Sequence, residues 1–364
     1  TDRESEIMEE YHQLVRNIIE NGNYRPNRTG VDTVSTFSQS YRIDLSEGFP
    51  LLTTKDMSGY RWNSLIHEIL WYFSGEEHIK NLREETKIWN AWADDEGLLP
   101  TAYGRFWRRF PVPDDQDLLE GEWWPTNTDN WIEKAKDQYD LDEEEIREGI
   151  SQWVNEEDGR KTFDQLQYII DTLNGDHPYR RENSRRLVVN AWHPANAAVS
   201  KLPPCHFTFV FNVQGGELNL HMTQRSGDVA LGIPFNIAAY SIIAKIVAQR
   251  TGLKPGHFSH TIVDAHAYCG KEERGKWYQE NLEELKERMK DQEPLKVKKW
   301  IEENAPEQEE PYDHIPGLLE QISREPRERP EMNISDKGLD ELEYEDFELE
   351  DYNPYPGLKF AVAE

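Results

Sequence analysis

Two strand-like runs, 206-HFTFVFNV-213 and 217-ELNLHMTQRS-226, are joined only by Gln214-Gly215-Gly216. Paired glycines supply the backbone freedom that a tight turn between strands needs, so this stretch reads as a hairpin. The pattern then changes period. Residues 236-NIAAYSIIAKIVAQR-250 form an almost wholly apolar helix closed by Gly252, and 258-FSHTIVDAHAY-268 returns to strand composition. A hairpin, a helix with no wet face and a further strand, in immediate succession, confine the chain to sheet packed with helix.

The flanking segments fit that frame. Helical spacing at 6–21 places Ile7, Met8, Tyr11, Leu14, Val15, Ile18 and Ile19 on one stripe, with Gly22 as the stop. Residues 33–45 and 187-LVVNAW-192 favour strand, whereas 64-SLIHEILWYFSG-75 is a nearly all-apolar helix with one acid inside it. A helix is expected near 162–173, ended by 174-NGDHP-178, and the last residues, 345–364, give a short strand and an extended tail. Two acidic stretches, about 111–160 and 270–315, interrupt this pattern as insertions. With no internal repeat and no flexible linker, one domain over 1–364 is the expectation.

Charge narrows the partners. The formal net charge is −29, which argues against nucleic acid as a principal ligand. Because the acids are spread along the chain, they suggest a hydrated surface suited to high salt, where a Debye length of about 3 Å at ~1 M screens self-repulsion. Two cysteines make no disulfide framework, no run of eighteen apolar residues is present, and the first residues lack a signal-peptide layout. A cytoplasmic protein is expected.

Several residues carry chemistry. Cys205 follows two prolines at the entrance to an apolar strand. It is either a buried structural thiol or a nucleophile whose thiolate Arg225, on the adjoining strand, would favour. His206 should point to the opposite face and is poorly placed as its base. Glu68 sits among Leu65, Ile66, Ile69, Leu70, Trp71 and Phe73. Burial would raise its pKa toward neutrality, for proton transfer or within a structural pair. In 224-QRSGDVALGIPFN-236 an arginine, a hydroxyl, an acid and an amide crowd together. Asn236 could read a nucleobase edge or simply cap the following helix. Arg28, Arg185, Arg186 and Arg225 could converge on a phosphate or remain surface charges. His266 and Tyr268 share a strand face and could reach a sugar hydroxyl or lie in the core. No metal-ligand pattern is present.

The ordered set of NRTG (27–30), EGFPLLTTK (47–55), HEILWYFSG (67–75), IWNAWADDEG (88–97), AYG (102–104), NSRRL (183–187), LPPCH (202–206), QRSGDVALGIPFNIAAY (224–240), DAHAY (264–268) and YNPYPGLK (352–359) closely resembles the thymidylate synthase family. The resemblance implies an α+β fold: a mixed twisted sheet with helices on one face and a dimer interface on the other. It implies a methyltransferase that converts deoxyuridylate to thymidylate with 5,10-methylenetetrahydrofolate and no metal. Cys205 would attack C6 of the uracil, Glu68 and Tyr103 would serve proton transfer, and Asn236 would recognise the base. Arg28, Arg225 and Ser226 would bind phosphate beside Gly227, with Arg185 and Arg186 supplied by the second subunit of a homodimer. His266 and Tyr268 would hold the deoxyribose. Asp228 would face the pterin, Ile88, Trp89, Gly232 and Phe235 would line the folate slot, Lys55 would lie toward the glutamate tail, and Ala363 would belong to a closing terminus. The rival readings are a deoxycytidylate hydroxymethylase, disfavoured by Asn236, and a catalytically silent acidic binding module.

Overall fold

The computed structural model describes residues 8–99, 102–112 and 128–363. Helix α1 (Glu10–Asn21) buries Tyr11, Leu14, Val15, Ile18 and Ile19, and its last turn closes when the Gly22 N–H donates to the Ile18 carbonyl. A Cβ at Gly22 would lie 2.4 Å from both that carbonyl and Val34, so only glycine lets the helix turn against the sheet. Strands β1 (Asn23–Arg25) and β2 (Val31–Asp44) follow, then α2 (Tyr60–Ser74), α3 (Leu82–Glu85) and α4 (Tyr103–Arg108). Next come β3 (Phe110–Pro111), α5 (Thr128–Tyr139), α6 (Glu143–Ser151), β4 (Val154–Glu157) and β5 (Arg160–Phe163). The central run is α7 (Gln165–Asn174), β6 (Val188–Asn190), α8 (Pro194–Val199), β7 (His206–Gln214), β8 (Glu217–Asp228), α9 (Gly232–Thr251) and β9 (Lys254–Lys271). The chain ends with α10 (Glu272–Asp291), α11 (Pro294–Asn304), α12 (Ile315–Ser323), β10 (Glu331–Ile334) and β11 (Phe347–Glu350).

The main sheet has six strands in the order β1-β2-β9-β8-β7-β6. The expected hairpin is β7–β8, turning at Gly215 and Gly216, both at positive φ. β8 and β9 pair parallel, and the other neighbours pair antiparallel. A parallel pair needs a crossover, and α9 supplies it. α9 is long and apolar enough, by composition, to cross a membrane, yet it lies against β8 and β9 with most of its residues buried as the core helix. One sheet face sends Leu218, Leu220, Met222, Phe258 and Ile262 into that core. On the other face His221, Thr223, Ser259 and Thr261 stay partly exposed, and Phe37 is 83% exposed.

Element boundaries differ from the periodicity in two informative places. Phe163 ends β5 instead of opening a helix, because Asp164 caps α7 by accepting from the Gln167 N–H at 2.9 Å while ion-pairing with Arg108. α9 begins at Gly232, so Asn236 lies inside its first turns and is not its cap.

The first acidic stretch holds α5, α6 and the small sheet β3-β5-β4, and its residues 113–127 lie outside the described residues. α5 and α6 join Ile132, Ala135 and Ile146 in a cluster of their own. The second stretch leaves the sheet after β9 and returns where Cys269 bridges Asp313 and the His314 N–H donates to the Tyr268 carbonyl at 2.9 Å. A buried ion pair fastens it: Arg274 Nε donates to Asp313 Oδ2 at 2.9 Å, and the Tyr278 hydroxyl donates to the same oxygen at 2.6 Å. Burial raises the Asp313 pKa, while Arg274 and Tyr278 oppose that rise. Arg274→Met, which strands the Asp313 carboxyl, is expected to destabilise the fold by about 3–5 kcal/mol in urea unfolding.

Candidate active site

A cleft of about 490 Å³ opens at the end of the sheet where β8 and β9 run out side by side. The register places Ser226 opposite Asp264 and Asp228 opposite His266. Side chains from two parallel strands therefore converge at one carboxyl end. The N–H of Val229 donates to the His266 carbonyl, which locks the strand ends together.

Cys205 is the residue just before β7. Its N–H donates to the Tyr103 hydroxyl at 2.6 Å, which ties α4 to the loop. Arg225 holds the other side. Its Nε donates to the Pro204 carbonyl at 2.9 Å and its Nη2 to the Pro203 carbonyl at 2.8 Å, and Nη2 lies 3.6 Å from Cys205 Sγ. The prolines thus contribute fixed acceptors as well as stiffness. The thiolate expectation needs correction, however. Burial pushes the Cys205 thiol above its ordinary value, and Arg225, the Tyr103 hydroxyl and Arg28 only partly offset it. Desolvation of the anion outweighs one guanidinium in the unliganded protein.

Glu68, in the middle of α2, faces the same cleft and accepts from Trp89 Nε1 at 2.7 Å. Burial raises its pKa to about 7, against the opposing hydrogen bonds from Trp89 and Tyr72. His206 is neutral by its surroundings: burial lowers its pKa to about 3. Its ring stacks on Tyr103 at 3.9 Å and its Nδ1 meets the Tyr240 hydroxyl at 2.5 Å. It is packed as a wall, which leaves it no part as a base for Cys205.

Asn236 Nδ2 donates to Gln224 Oε1 at 3.1 Å, and His260 Nε2 shares that oxygen at 2.9 Å. His260 in turn contacts the Tyr41 hydroxyl. This buried chain fixes the orientation of the Asn236 carboxamide, leaving Oδ1 and one N–H for a ligand. Asp228 accepts from the Ala230 N–H at 2.9 Å. Burial would raise its pKa, but His314, His266 and that N–H together lower it, so it stands as a carboxylate.

Of the residues singled out in the sequence, Cys205, Glu68, Tyr103, Arg225, Asp228, Asn236, Arg28, Ser226, Gly227, His266, Tyr268, Trp89, Gly232 and Ala363 all line this cleft. Lys55 and Phe235 line a neighbouring cavity of about 380 Å³ together with Asp56, Arg61 and the tail residues Gly357–Phe360. Lys55 is buried, and its Nζ donates to the Ala230 carbonyl at 2.5 Å. Burial lowers its pKa to about 8, opposed by Asp228 and reinforced by Arg61. Ile88 is 40% exposed and lines neither cavity. Arg185 and Arg186 are exposed and stand outside the cleft of their own chain. Sequence reasoning missed Arg25, Asp264, Tyr72, Trp92 and Gln224 in the lining. Gln224 stood inside the polar-rich 224–236 stretch, and only the fold shows that it orients Asn236.

Among the described residues no cluster of three or more His, Cys, Asp or Glu could hold a metal ion. The cleft lining holds two kinds of chemistry. Arg28, Arg225 and Ser226 suit a phosphate, whereas Trp89, Trp92 and the acceptor Asp228 suit a flat heterocycle with N–H donors.

A family model described as thymidylate synthase matches residues 9–364 of the chain. The thymidylate synthase of Haloferax volcanii is 59% identical over 358 residues, which cover 96% of this chain and 95% of that protein.

The raised Glu68 value makes a signed prediction. Between its unfolded value of 4.5 and about 7 the folded state retains a proton that the unfolded chain releases, so stability falls across that window as pH rises. Glu68→Gln should match the unmodified protein in denaturant melts at pH 4.5 and exceed it by about 3 kcal/mol at pH 8, while losing activity at both.

Proposed function

The chain belongs to the thymidylate synthase family, and from that premise we propose how its residues carry out the reductive methylation of deoxyuridylate by 5,10-methylenetetrahydrofolate. The observation that carries the reading is the sulfur of Cys205 held 3.6 Å from Arg225 Nη2 in one cleft with Glu68 and Asn236. Arg28, Arg225 and Ser226 anchor the 5′-phosphate, and His266 and Tyr268 hold the deoxyribose. Asn236 accepts from uracil N3–H through Oδ1 and donates to O4 through its free N–H, the pairing that its bond to Gln224 leaves open.

With the nucleotide seated, the Cys205 thiol gives its proton to water, its sulfur adds to C6 of the ring, and the charge passes from the sulfur to the C4 oxygen. That transfer matters because burial disfavours a resting thiolate. Asn236 stabilises the developing oxyanion. Glu68, poised at about 7, moves protons at the pyrimidine, oriented by Trp89. Tyr103 steadies Cys205 and assists removal of the C5 proton.

The folate supplies the carbon and the hydride when bound, and the aromatic part of the lining fits its pterin. Asp228 accepts from the pterin N–H groups, Trp89, Gly232 and Ala363 border the ring, and Ile88 flanks the approach. Phe235 and Lys55 extend the slot toward the glutamate tail beside Arg61. The enzyme is a methyltransferase that needs no metal in this scheme.

The second subunit completes the phosphate site. Arg185 and Arg186 are exposed and stand outside the cleft of their own chain, and the open sheet face presents Phe37 and Val263. Both features support a homodimer across that face, to be checked as a sedimentation mass twice the 42.8 kDa of the chain. Free Cys205 and Cys269 support a cytoplasmic setting, and the net charge of −29 supports a salt-adapted surface.

Tritium release from 5-tritiated deoxyuridylate with folate present, at low and at molar salt, tests the reaction. Cys205→Ser should lower it about a thousandfold or more. A 5-fluorinated deoxyuridylate should add to the peptide carrying Cys205, as read by mass spectrometry. Turnover of Cys205→Ser at the unmodified rate would overturn the mechanism. Asn236→Asp should move preference toward cytosine nucleotides, and unchanged selectivity would remove Asn236 from base recognition.

A further inference from the structure

Residues 177–186 carry four arginines, Arg180, Arg181, Arg185 and Arg186, against one acid, Glu182. Like charges at this density repel, so the loop needs a hold from outside itself to keep one shape. Its far end is fixed on the sheet, where the Leu187 carbonyl accepts from the Phe211 N–H at 2.9 Å. Its near end is fixed by the buried His177. The Nδ1 of that ring accepts from the N–H groups of Tyr179 at 3.2 Å and Arg180 at 3.0 Å, and the His177 carbonyl accepts from Arg181 Nη1 at 2.6 Å. Burial lowers the His177 pKa to about 4, reinforced by Arg180 and Arg181, so the ring stays neutral and keeps Nδ1 as an acceptor.

The first acidic stretch supplies much of what holds this end. The His177 ring stacks on Trp153 at 5.2 Å, and Trp153 Nε1 donates to Asp171 Oδ2 of α7 at 2.7 Å. Tyr139, at the end of α5, stacks on Tyr179 at 4.7 Å, and the Arg180 guanidinium lies over the same Tyr179 ring at 5.2 Å. α6 approaches closely as well: a Cβ at Gly149 would lie 2.6 Å from Tyr179 Cε1 and 3.3 Å from Pro178 Cγ. Because α5 and α6 share a small core of their own, the loop rests on a packed unit. The hold passes forward along the loop: the Arg181 carbonyl accepts from the Ser184 N–H at 2.9 Å, and Ser184 Oγ accepts from the Arg186 N–H at 3.2 Å.

We infer that the first acidic stretch is the buttress of this arginine loop, with His177 as its positioning residue, and that it thereby sets how tightly the neighbouring subunit holds the nucleotide phosphate. The inference rests on Arg185 and Arg186 reaching the phosphate in the second subunit, as proposed above. A loop held in shape before the ligand arrives pays less ordering entropy on binding, which shows in nucleotide affinity and leaves the chemical step alone.

The test is steady-state kinetics of His177→Phe, which keeps an aromatic ring on Trp153 and removes the acceptor that Tyr179 and Arg180 share. The variant should melt as a folded protein. Its KM for deoxyuridylate should rise about fivefold, while kcat and the folate KM at saturating nucleotide change less than about twofold. As competitive inhibitors, inorganic phosphate should weaken by a similar factor, and deoxyuridine, which has no phosphate, should be unaffected. With Arg185→Ala and Arg186→Ala already in place, His177→Phe should have little further effect, since all three act on one contact. An unchanged nucleotide KM, an equal loss for deoxyuridine, or full additivity with the arginine variants overturns the inference. Should His177→Phe fail to fold, Tyr139→Ala, at a half-buried stack, decides by the same assays and the same outcomes. Arginine variants that bind nucleotide as tightly as the unmodified protein would remove the phosphate reading beneath it, and the inference with it.

Discussion

One guanidinium organises the reactive end of this molecule. Arg225 projects from β8 and is gripped by the carbonyls of Pro203 and Pro204, while Nη2 also faces Cys205 Sγ. Its backbone N–H also donates to the Cys205 carbonyl at 2.9 Å, so strand and loop are joined twice at one residue. Prolines have no N–H and a fixed φ, which leaves their carbonyls as the natural acceptors and keeps the thiol from wandering. Without that grip the cysteine would lose the strongest of the groups that oppose its burial, with the Tyr103 hydroxyl and Arg28 left to act alone. With it, part of the cost of burying a charge on the sulfur is offset, although burial still holds the thiol above its ordinary value.

The same opposition of burial and local partners recurs around the cleft. Burial raises Cys205 and Glu68 and lowers Lys55, while directed hydrogen bonds keep Asp228 ionised. These groups are tuned against one another in a low-dielectric pocket. The acids behind the net charge of −29 lie mostly elsewhere along the chain, where salt screens them. A cleft that binds an anion can therefore persist in a strongly acidic protein, because Arg28, Arg225 and Ser226 act within a few ångströms and the net charge acts across many.

Much of the fold was legible because period and turn chemistry agree. Gly215-Gly216 between alternating strands could hardly be other than a hairpin, and the apolar 236–250 run had to be a core helix. Where a polar side chain took a capping role, periodicity misled: Phe163 looked helical until Asp164 claimed the helix start. The candidate site was legible in its residue types, since cysteine, acid, amide and arginines stand in dense polar stretches. What stayed hidden was which polar groups serve others. Gln224 orienting Asn236, and His314 standing between Asp228 and the tail, depend on residues far apart in the chain.

The sequence by itself determined the elements, the reactive side chains and the acidic character, because those follow from local periodicity, from single-residue chemistry and from counting charge. Only the tertiary structure decided the state of the site. Whether Cys205 is a thiol or a thiolate depends on how completely β7, α4 and Arg225 exclude water from it, and desolvation is a property of the whole enclosure. The parallel register of β8 on β9 likewise brings Asp228 beside His266, a pairing that no local pattern encodes.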